Sequence, residues 1–74
     1  MNKQTILRQV QETALAVYMY DQLYSNGIPT NVVVFEERAL ERFNTAKWKA
    51  LDSCTWQEID SAIDAVVPGM AAYC

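Results

Sequence analysis

From Gln4 to Ser25 the chain runs without a single glycine or proline, and no other stretch is as rich in large apolar side chains. Ile6, Val10, Ala14 and Val17 recur at helical spacing with Leu7 beside them, so one face of a helix would be apolar. Past Thr13 the pattern changes. Ala14 to Tyr20 is an unbroken apolar run, and Leu23 and Tyr24 follow it. Such a run also suits a buried strand, but its flanks are rich in Gln, Leu, Arg and Ala, which favours helix. A helix apolar on all sides must be covered on more than one side. Its second half is therefore expected either inside a small bundle or against a second molecule.

Asn26-Gly27 is the stop signal, because glycine just past a helix cap adopts left-handed dihedrals at little cost. The same dipeptide marks hairpin turns, but Tyr20 to Ser25 does not alternate and Pro29 follows closely. Ile28-Pro29 forces an extended step. Thr30 or Asn31 can cap a second helix. Val32 to Phe35 has strand preference. A strand there would need a partner, and the only candidate, Val17 to Tyr20, belongs to the first helix. A two-stranded ribbon alone is marginal in water. The second helix is thus expected from Asn31 to Phe43, with Val32, Phe35, Ala39 and Phe43 as its inner stripe. Glu37 and Glu41 form a same-sign pair, and Arg38 and Arg42 lie close enough to offset it, at roughly a few tenths of a kcal/mol per pair. Asn44-Thr45 is expected to break this helix. A short third one, Ala46 to Leu51, would turn Trp48 and Leu51 inward and Lys47 and Lys49 outward, and Asp52-Ser53 would end it.

Thr55-Trp56-Gln57-Glu58 fits the capping box, and Cys54 with Ile59 can close a hydrophobic staple around it. A fourth helix then runs from Trp56 to about Val67. Trp56, Ile59, Ala62, Ile63 and Val66 form its apolar face; Gln57, Asp60, Ser61 and Asp64 form a polar, acidic one. Pro68-Gly69 stops it, and Met70 to Cys74 is a short apolar tail able to fold back on the core. The expected fold is all-α: one helical domain over residues 1–74, a small bundle of three to four helices packed on the long N-terminal one.

Hydrophobic residues make up 51% of the chain. That is high for a domain so small, which buries only about 60% of the surface its unfolded chain exposes. The surplus points to a partner or to self-association. No apolar run is long enough to span a membrane, and the start at Met1 lacks the apolar core and cleavage site of a signal peptide, so a cytoplasmic location is expected. Cys54 and Cys74 are too few for a disulfide framework and too far apart for a CxxC site, which leaves two reduced thiols. The net charge is −3. Residues 51–74 carry Asp52, Glu58, Asp60 and Asp64 and no base.

The chain has no histidine, so the commonest general base and a leading zinc ligand are missing. Carboxylate catalysis needs two acids facing a pocket, one with a raised pKa. Glu36, Glu37 and Glu41, like Asp60 and Asp64, fall on expected solvent faces. Gly27 and Gly69 are isolated, so no phosphate-binding loop exists. The reading is therefore non-enzymatic, without metal or cofactor. It is a small acidic module that docks on a larger protein assembly as an adaptor or inhibitor, in the manner of a phage or mobile-element regulator. Tyr20 and Tyr24, one turn apart, and the acids Glu58, Asp60 and Asp64 are the expected contact residues. A second reading is a transcription-associated DNA-binding protein using Arg38, Arg42, Lys47 and Lys49 in segment 38–49. The acidic balance disfavours it. A third reading is a self-associating structural subunit.

Overall fold

The computed structural model describes residues 2–27 and 32–70. These form three helices, α1 (Lys3–Ser25), α2 (Val32–Ala50) and α3 (Trp56–Val66), and no strand occurs among them. The strand-prone Val32 to Phe35 opens α2 as helix. The expected cap at Thr30 or Asn31, the extended step at Ile28-Pro29 and the tail beyond Met70, with Cys74, lie outside the described residues.

α1 starts one residue earlier than expected. The Asn2 side chain accepts a hydrogen bond from the Thr5 backbone N–H at 2.8 Å, which satisfies one of the orphan donors of the first turn. The helix ends at Asn26-Gly27. Gly27 has φ 75°, and its N–H donates to the Tyr24 carbonyl at 3.1 Å. An added Cβ would meet nothing within 4 Å, so the demand for glycine is conformational and not steric.

α1 is the element on which both other helices pack. Tyr20 stacks on Phe35, while Thr13 lies in a groove with Arg42 and Gln9 in one with Lys49, so α2 runs antiparallel to α1. α3 runs back in the direction of α1, because Lys3 meets Glu58 and the Gln11 amide donates to the Ala62 carbonyl at 2.9 Å. The core forms where the three meet. Val10, Ala14 and Val17 of α1 are buried with Ala39, Phe43 and Ala50 of α2 and Ile59 and Ile63 of α3. Cys54 before α3, with Val67 and Met70 after it, closes the same cluster.

Two expectations fail in α2. Asn44-Thr45 does not break the helix, and the two short helices expected on either side are one. The physical reason is the spacing of Phe43, Ala46 and Ala50. An unbroken helix turns all three toward α1, and Phe43 and Ala50 are fully buried. Asn and Thr each cost roughly half a kcal/mol against alanine in a helix. Burying the Phe43 ring contributes about 1.5–3 kcal/mol, which wins. The same continuity moves Trp48. It lies five residues from Phe43, about 140° around the helix from the buried stripe. It is 67% exposed instead of facing inward. Phe35, expected in the inner stripe, is also exposed and lies against Tyr20 at a centroid distance of 5.9 Å.

Backbone bonds from Cys54 N–H to the Ala50 carbonyl at 2.7 Å and from Ser53 N–H to the same carbonyl at 3.0 Å hold the turn into α3. Both halves of the capping box form. Glu58 N–H donates to Thr55 Oγ1 at 3.1 Å, and Thr55 N–H donates to Glu58 Oε1 at 2.9 Å. At the other end Gly69, with φ 85°, donates its N–H to Asp64 Oδ1 at 2.8 Å.

Phe43→Ala is expected to destabilise the fold by about 3–5 kcal/mol. A domain of this size has roughly 4–11 kcal/mol in total. Urea titration followed by circular dichroism should therefore place most of that variant in or near its unfolding transition in water, while Asn44→Ala leaves the midpoint unchanged or raises it.

Candidate functional site

α3, about 16 Å long, reaches along only the first half of α1, which is about 35 Å long. The second half of α1 packs on α2, and Val67 and Met70, just past α3, join the same buried cluster as Val17. Leu15, Tyr18 and Met19, at i, i+3 and i+4, sit on one helical face there and are 44%, 46% and 48% exposed. The surplus apolar surface read from the sequence is therefore on the outside.

The expected contact residues do not form one surface. Tyr20 is half-buried on Phe35 and lines a groove with Arg38 and Arg42. Tyr24 is exposed and lines a different groove, with Val33 and Leu40 rimmed by Asp21, Glu36 and Glu37. Two of the three acids also have internal roles. Glu58 closes the capping box and pairs with Lys3 Nζ at 3.2 Å, the one ion pair among the described residues. Asp64 accepts from Gly69. Asp60 is exposed and makes no hydrogen bond or ion pair within the described residues.

The basic residues divide differently. Arg38, Arg42 and Lys49 follow one another along a continuous groove between α1 and α2, made of two hollows of about 780 and 460 Å³. The hollows share Glu12, Thr13 and Arg42, and Glu41 stands at the rim. Lys47 is not part of it; its Nζ lies 4.4 Å from the centroid of the Phe43 ring. Arg38 and Arg42 form no ion pair with Glu37 or Glu41. Their guanidinium groups are open to a ligand.

Trp48 and Trp56 meet edge to face at 5.9 Å at the α2–α3 junction. Both are exposed, at 67% and 46%. Sequence reasoning counted both as core. The signal that could have corrected Trp48 is its angular distance from Phe43 in an unbroken α2. Among the described residues no group of three or more Cys, Asp or Glu side chains is placed to hold a metal ion, and no helix is long and apolar enough to cross a membrane.

The hydrogen bonds of Glu58 also act on its titration. The Thr55 backbone N–H first, and Lys3 second, hold its carboxyl below the usual glutamate range, against a smaller opposing effect of burial. The folded state thus binds this proton less readily than the unfolded chain. The contribution of Glu58 to stability is complete above the unfolded value near pH 4.3 and is lost as pH falls through the lower folded value.

Comparison with known protein families, with curated proteins and with solved structures finds no match.

Two outcomes are expected. Glu58→Gln should flatten the fall in melting temperature that the native chain shows as pH drops below the ordinary glutamate range, measured by circular dichroism. Native tryptophan emission should already lie near that of the urea-unfolded chain and be strongly quenched by acrylamide; blue-shifted, protected emission would contradict the exposed pair.

Proposed function

We propose that this protein is a non-enzymatic interaction module that docks on a larger protein through aromatic and aliphatic side chains on the second half of α1. The observation that carries the reading is the exposed face of Leu15, Tyr18 and Met19, which continues the outward side of α1 that Arg8 and Glu12 occupy earlier in the helix. Apolar side chains at i, i+3 and i+4 are the pattern by which one helix face meets another protein. Tyr and Met are both enriched in such interfaces. Leaving them in water raises the risk of aggregation without adding to the stability of the chain. Exposed Tyr24 and Trp48 extend the same character to other faces of the molecule. Asp60 is the acid of the original contact set left free for a basic partner surface.

An adaptor or inhibitor role fits this reading, because a module with a docking face acts by occupying a surface. The groove along Arg38, Arg42 and Lys49 supports a second reading, contact with a polyanion. It is the weaker one. Glu12 and Glu41 share the groove, and the chain carries a net −3.

A photo-crosslinking side chain placed at Tyr18 or Met19, in cells that naturally produce the protein, is expected to yield one discrete adduct with a larger protein. The same probe at exposed Ser53 should not. Leu15→Asp should abolish the adduct. Adducts of equal yield at all three positions, or none, would refute docking through this face.

A further inference from the structure

The α1–α2 groove and the outer face of α3 carry the same pattern with opposite charge. In the groove, exposed Phe35 is followed at one and two helical turns by Arg38 and Arg42. On α3, exposed Trp56 is followed at one and two turns by Asp60 and Asp64. The two runs are about 10 and 12 Å long. Charges one turn apart on a helix are about 6 Å apart, so both arginines can meet both aspartates at once. Neither arginine has an ion-pair partner among the described residues, and Asp60 has none.

We infer that α3 of one copy lies in the α1–α2 groove of a second copy, with Asp60 and Asp64 over Arg38 and Arg42. A polynucleotide fits the groove less well. It presents a charge every 1.7 Å of duplex and would meet Glu12 and Glu41 as well as the cations. A helix presents only two carboxylates and can turn Gln57 or Ser61 toward the groove's acids. Donor and acceptor are different faces of the molecule, so the contact is either made once, head to tail, or made twice across a twofold axis. Made once, it propagates into chains or closes into a ring; made reciprocally, it stops at a dimer. A single short helix in an open groove buries less than a standard interface, which makes the association weak and salt-sensitive. The inference does not use Leu15, Tyr18 or Met19, so it stands or falls separately from docking through that face.

The test is charge reversal with mixing, read by sedimentation velocity at low salt. The unaltered chain should associate as its concentration rises and dissociate on added salt. Arg38→Glu with Arg42→Glu makes groove and helix both acidic; Asp60→Lys with Asp64→Lys makes both basic. Each double variant alone should associate at least about tenfold more weakly. Mixed in equal amounts they should associate again, because each supplies the face the other lacks. Asp64→Lys also removes the acceptor for Gly69, so Asp60→Lys alone gives the same direction of effect without that loss, and circular dichroism confirms that all variants are folded. An unaltered chain that stays monomeric at millimolar concentration overturns the inference. So does association that survives both reversals, or a mixture that stays dissociated. Salt-sensitive binding of an oligonucleotide by a monomer, lost in the arginine variant, would assign the groove to nucleic acid instead.

Discussion

Burial of Val10, Ala14 and Val17 on α1 is the constraint on which the rest of this structure depends. Both other helices use that surface, and the core is the place where Phe43 from α2 and Ile59 and Ile63 from α3 reach it. A short chain has few ways to enclose so many apolar atoms, and helices crossing one spine is among the most economical in length. The polar ties are at the periphery. The Glu58 pair with Lys3 is exposed, and the Gln11 bond to the Ala62 carbonyl sits at the edge of the α1–α3 contact. They set how the helices enter the core more than how strongly it holds.

The inequality of the helices follows from the same constraint and produces the surfaces. α3 ends halfway along α1, so one end of the molecule has three helices and the other two. Where there are three, apolar side chains are enclosed. The face of α1 opposite α2 stays wet throughout: it carries Arg8 and Glu12 early in the helix and Leu15, Tyr18 and Met19 later. The second consequence is the groove. Arg38 and Arg42, one turn apart, and Lys49 beyond them line the same side of α2, and α1 supplies the opposing wall. An unpaired run of cations and an uncovered apolar face are different chemistries, and they suit different partners.

Much of the fold was legible in the residues. The spine helix, its stop at Asn26-Gly27 and the Thr55–Glu58 capping box are local matters, decided by dihedral preference and by hydrogen bonds within a few residues. The site was less legible. Tyr20 and Tyr24 share a helical face, yet α2 lies between the grooves they line. Glu58 was legible as the acid of the capping box, but its pairing with Lys3, far away in sequence, was not. Trp48 looked like core because tryptophan is large and apolar. Its position was set by which neighbour had the stronger claim on the interior.

By itself the sequence determined that the chain is helical, where α1 ends and where α3 begins, and that more apolar surface exists than one small core encloses. These are short-range or summed properties. Only the tertiary structure decided that Asn44-Thr45 stays helical, that Trp48 and Trp56 face outward, and that Lys47 leaves the basic row while Arg38, Arg42 and Lys49 share a groove. In each case the outcome turned on a competition for the surface of α1. Phe43 and Ala50 won it, and the free energy of burying them against a helix distant in sequence outweighed the local preferences of the residues between.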